Sequence, residues 1–113
     1  MSLSLLIGFK DPKRAKVYHP FAFQVVLLRS WWHLARRLGL PLLQQLECLD
    51  IKDRCEAECL IHELEVVRGV LQEPDNVGIS RGDAAYMLRR ISEVEPLIKA
   101  AIQEWNHVDY LSL

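Results

Sequence analysis

Between Asp53 and Glu73 the sequence DRCEAECLIHELEVVRGVLQE repeats an apolar residue at helical spacing, and an amphipathic helix is the one regular element that satisfies it. Leu60, Leu64, Val67 and Leu71 fall at i, i+4, i+7 and i+11, along one stripe of a helix. Ala57, Ile61 and Val70 widen the stripe into a core-facing band. Glu56, Glu58, Glu63 and Glu65 largely fall outside it. Asp53 can accept from amides of the first turn, and both Asp53 and Glu56 sit where the helix dipole favours negative charge. Glu73 precedes Pro74, a context that leaves helical geometry.

Other stretches carry weaker signals of the same kind. Pro20 to Leu38 reads as a long helix that starts on proline and stops at Gly39 and Pro41. It carries two apolar stripes, Phe21, Val25, Leu28, Trp32 and Ala35 beside Leu27, Trp31, Leu34 and Leu38. Arg29, His33, Arg36 and Arg37 are left as a narrow basic strip. Trp31 and Trp32 point about 100° apart on such a helix, so one is expected inside and the other near the surface. Leu40 to Lys52 reads as a short second helix or helical turn. Ser80-Arg81-Gly82-Asp83 resembles a capping box, and Asp83 to Trp105 continues as a helix in which Pro96 predicts a kink or a junction.

The two ends look different. Ser2 to Phe9 alternates Leu3, Leu5 and Ile7 on one face, and Val108 to Leu113 alternates likewise. A lone strand needs a partner, so these two are expected to pair, the alternative being a frayed C-terminal tail. Lys10 to His19 reads as a basic loop. The predicted fold is therefore mostly α: one domain over 1–113, a bundle of three to five helices with a small sheet joining the N- and C-terminal strands.

Composition narrows the class of function. Half of the 113 residues are hydrophobic, enough for a packed core. The net charge is −1 but unevenly divided: +6 over residues 1–40, −6 over 41–79 and −1 over 80–113. So low a net charge argues against nucleic-acid binding. No apolar run is long enough to span a bilayer, and MSLSLLIGF lacks the basic lead and cleavage site of a secretory signal. Three cysteines, an odd number, fit a reducing compartment better than a disulfide framework, so a cytoplasmic location is expected.

No motif with catalytic context is present, and a non-enzyme without cofactor is expected. Cys48, Cys55, Cys59 and His62 are spaced C-x6-C-x3-C-x2-H, which lacks the short paired spacing of structural zinc sites, and no metal site is assigned. His62-Glu63 opens like a zincin motif, but Val66 holds the place of the second histidine. The cysteines read by default as small buried core residues.

Three segments, MSLSLLIG, WHLARRLGLP around Trp32 and HELEVVRGVL from His62, give the chain a layout that resembles small bacterial immunity proteins of polymorphic toxin systems. That resemblance implies a cytoplasmic protein that neutralises a cognate toxin by binding it, often a nuclease with a basic cleft. An acidic helix face would suit such a partner. The residues expected to carry the binding are Asp50, Asp53, Glu56, Glu58, Glu63 and Glu65. The alternative is a self-associating scaffolding protein, a homodimer among its forms, anchored by Trp31 or Trp32, with the positive and negative segments meeting head to tail.

Overall fold

A computed structural model describes residues 2–113 and corrects the fold class: the chain is α+β, not a mostly-α bundle. Among the described residues, four strands, β1 (Ser2–Phe9), β2 (Val17–Phe23), β3 (Asp50–Ile51) and β4 (Val108–Ser112), form an antiparallel sheet in the order β2-β1-β4-β3. Three long helical elements lie with it. The first, α1, runs on through Gln24–Val26, a π-helical turn Leu27–Trp31 and Trp32–Leu38. The other two are α2 (Arg54–Val70) and α3 (Arg81–Gln103).

The terminal strands pair at the middle of the sheet, with Leu6, Ile7, Gly8 and Phe9 opposite Ser112, Leu111, Tyr110 and Val108. A side chain at Gly8 would overlap the Tyr110 ring, which lies across the glycine. Leu5 and Ile7 are buried as the alternation requires, while Leu6 points out of the other face beside its cross-strand neighbour Tyr18.

The correction turns on β2. Residues 20–23 do not open a helix; they finish a strand, and helical geometry begins at Gln24. Pro20 is tolerated there because β2 is an edge strand, where a missing N–H can face solvent. Opposite β1 the register jumps from Leu3↔Ala22 to Ser4↔Pro20, so Phe21 is the extra residue of a bulge. The bulge puts Phe21 and Ala22, neighbours in sequence, both in the core, and the period-two pattern that would have announced a strand is lost. Phe21 packs on Trp31 with ring centroids 4.7 Å apart.

Leu40 to Lys52 takes the second of its two expected forms, a single helical turn (3-10, Leu43–Gln45), and then adds the unexpected strand β3. Leu49 and Leu113 exchange both backbone hydrogen bonds and extend that short edge. Helix α2 begins as its sequence dictates, with Asp53 accepting from the Glu56 N–H at 2.8 Å. Helix α3 is capped by Ser80 and continues through Pro96 without a break. Pro96 and Ser92, whose carbonyl loses its donor, both face water, and that placement removes the penalty of a buried unpaired group. Leu60, Leu64, Met87, Ile91, Val94 and Ile98 are fully buried between sheet and helices. Each contributes about 1.5–3 kcal/mol of burial free energy.

Candidate protein-binding surface

Helix α2 is where the acidic residues gather, and the structure divides them. Asp50 lies exposed on β3, and Asp53 is the exposed N-cap of α2. Glu56 reaches back to accept from the Lys52 N–H at 2.9 Å, so its charge also steadies the start of the helix. Glu58 is exposed and pairs with Arg54 one turn earlier at 3.4 Å, an i,i+4 contact of small energetic weight. Glu65 is exposed. Glu63 borders the same groove as Glu56 and Glu58 but turns inward. It is only 5% exposed and accepts from the N–H groups of Leu42 (3.1 Å) and Leu43 (2.9 Å). Its carboxylate satisfies the otherwise orphaned donors at the start of the 3-10 turn.

Beside Glu56 and Glu58 runs a shallow groove of about 710 Å³. Leu40, Pro41, Leu42, Cys55 and Cys59 line it, with His62 at its side and Glu56 and Glu58 at its rim. Cys48, Cys55 and Cys59 are exposed, unpaired thiols rather than the buried core residues that their type predicts. Cys48 lies apart from the other two, in a separate cavity of about 520 Å³ against the open face of the sheet with Asp50, Glu47 and Tyr18. No group of three His, Cys, Asp or Glu side chains among the described residues is placed to hold a metal ion.

A second surface escaped the sequence pattern. Val25 and Leu28, counted there in a core stripe with Phe21, Trp32 and Ala35, are 55% and 51% exposed, and Phe23 is 55% exposed. The π-turn and the bulged strand before it turn Leu27, Trp31 and Leu34 inward and leave Phe23, Val25 and Leu28 on the outside, while Phe21 and Ala35 stay buried. Phe23 stacks on Tyr86 of α3 at 5.6 Å, and the Arg89 and Arg90 guanidiniums lie 5.6 and 5.2 Å from the Tyr86 ring. Arg90 also donates to Glu93 at 2.9 Å, and His19 of β2 contacts the same Glu93 oxygen at 3.0 Å. The hydrogen bond from His19, then that from Arg90, holds the Glu93 carboxyl below its ordinary pKa.

Arg29 and Ser30 fix α1 to α3. Arg29 donates from Nε (2.7 Å) and Nη2 (2.6 Å) to Asp83, and the Ser30 hydroxyl donates to the same carboxylate at 2.6 Å. The wide turn of the π-segment brings these consecutive side chains to one acceptor. The Arg29 hydrogen bonds are the main reason that the Asp83 carboxyl lies below its ordinary pKa, against a burial that pushes the other way. Of the two neighbouring tryptophans, Trp31 is fully buried and cannot anchor a partner, while Trp32 is half-buried beside Arg36 and Gln44. The basic loop after β1 is tied down as well: Arg14 pairs with Glu104 and lies 3.7 Å over the Phe9 ring.

No family model matches the chain, and no curated protein or solved structure matches it either. The described residues include no helix long and apolar enough to cross a membrane.

Proposed function

We propose that this chain is a non-catalytic binding protein whose acidic, groove-bearing face on α2 takes up a basic protein partner, and that the partner is a toxin domain which it neutralises. The observation that carries the reading is the groove itself: an apolar floor of Leu40, Pro41 and Leu42 under a carboxylate rim of Glu56 and Glu58. Apolar centres with polar rims are how protein interfaces are built, and a rim of one sign speeds encounter with a partner of the other. Asp53 and Glu65 extend the negative field beside the rim, whereas Asp50 borders the separate cavity at β3 and Glu63 serves the fold. Exposed thiols on this face fit a reducing, cytoplasmic setting, because such thiols would cross-link or oxidise elsewhere.

The test is capture from lysate of the source organism on tagged protein, comparing wild type with the double variant Glu58→Lys, Glu65→Lys. Both positions are exposed, so the variant keeps a native spectrum and melting curve. A basic toxin-like domain held at equal stoichiometry by wild type and lost from the variant supports the reading. A partner held equally by both rules out this face, and recovery of no foreign protein removes the neutralising role.

A further inference from the structure

We propose that the apolar ridge at the start of α1 is a self-association surface, and that it seats in the acidic groove of a second copy of this chain. Phe23, Val25 and Leu28 are each more than half exposed. Single exposed apolar residues are ordinary, but these are neighbours: Val25 and Leu28 share a helix face at i, i+3, and Phe23 extends it onto Tyr86. Apolar and aromatic side chains with arginines at their edge have the composition of an interface core.

Charge selects the occupant. The ridge is bordered by three guanidiniums, Arg29, Arg89 and Arg90, against two carboxylates, Asp83 and Glu93, of which Asp83 is buried. Among the described residues Arg89 has no carboxylate partner; it only overlies Tyr86. Ridge against ridge would bring the guanidiniums of two copies together. The groove offers the opposite: an apolar floor of Leu40, Pro41 and Leu42 and a rim of Glu56 and Glu58, opposed locally by Arg54. Apolar surface then meets apolar surface, and cations meet anions. The contact needs no foreign protein and stands apart from the proposed neutralising role. Where both exist, they compete for one groove.

The experiment is sedimentation velocity on the full chain, in reductant so that the exposed thiols stay unlinked, from low to high micromolar concentration. Two variants are compared: Val25→Glu with Leu28→Glu, which destroys the ridge, and Glu58→Lys with Cys59→Lys, which fills the groove with cations. Wild type is expected to grow heavier with concentration and lighter with added salt, and each variant alone to associate at least about tenfold more weakly. Mixed together, the two variants are expected to form a one-to-one complex, because one retains the groove and the other the ridge. That restoration also shows that both variants fold. A wild type that stays monomeric throughout overturns the proposal. So does a groove variant that still self-associates, or a mixture that does not recombine.

Discussion

Two apolar stripes start side by side along α1, and over its first turns they have opposite fates, although Ala35, further along the outer stripe, is buried. Leu27, Trp31 and Leu34 are at most 1% exposed, whereas Val25 and Leu28 are more than half exposed. Nothing in residue type separates the two sets. The difference comes from what precedes and flanks the helix. A bulged edge strand feeds α1 into the sheet's packed side, and α3 approaches from one flank only, where Asp83 takes Arg29 and Ser30. Helical periodicity marks which residues can be buried together; the number of layers decides how many stripes find a partner. In an all-helical bundle both stripes would be covered. In this arrangement the start of one, Val25 and Leu28, is left over.

The sharpest way to break that contrast is to truncate one residue from each stripe. Trp31→Ala removes a fully buried ring packed on Phe21 and is expected to cost about 3–5 kcal/mol, enough to unfold much of the population. Leu28→Ala is expected to stay within about 0.5 kcal/mol of wild type in urea titrations at low protein concentration. A Leu28→Ala penalty approaching that of Trp31→Ala would mean that the outer stripe is covered after all.

The carboxylates divide in the same way. Asp83, whose side chain is 9% exposed, joins α1 to α3, and Asp83→Asn is expected to destabilise by about 2 kcal/mol. That figure lies below the usual cost of breaking a buried pair, because Arg29 is 58% exposed and can return to water. The effect has a pH signature. The folded pKa of Asp83 is lowered, so its stabilisation is complete above the ordinary carboxylate pKa and is lost as pH falls through the lower folded value. The gap between wild type and Asp83→Asn is therefore expected to be widest at neutral pH and to close in acid. Unfolding midpoints of both proteins across that acid range check it; a gap that persists at the acid end would show that the second acceptor oxygen, not charge, is what Asn lacks.

How much of this was legible in sequence follows from the same residues. The stripes and caps of α2 and α3 and the alternation of the two terminal strands are written locally. Strand β2 is not, because Pro20 mimics a helix start and the bulge at Phe21 erases the alternation. Two-residue β3 is too short to carry a pattern at all. Within the candidate site, Asp50, Asp53, Glu58 and Glu65 lie where exposed polar residues should, but Glu63 does not. It stands three residues after Leu60 and four before Val67, inside the buried stripe by the very spacing that defines it. Glu95, four residues after Ile91 and three before Ile98, likewise lies within a buried stripe, and it too is buried, paired with Arg68 at 2.6 Å. A carboxylate at core spacing signals an internal acceptor. The exposed thiols had the opposite problem: residue type predicted burial and position overruled it.

That rule yields the smallest of the expected differences. Glu63→Gln keeps the shape of the side chain but leaves one carbonyl oxygen and an amide NH2, itself a donor, to face the Leu42 and Leu43 N–H groups, so one buried N–H loses its acceptor. The expected cost is about 1–2 kcal/mol, read as a lower urea midpoint at unchanged slope. Glu65→Gln, two residues away on the solvent side, is expected to change stability by less than about 0.5 kcal/mol. Equal effects from the two would mean that the 3-10 turn finds its donors' partners elsewhere, and Glu63 would return to the set of residues free to meet a basic surface.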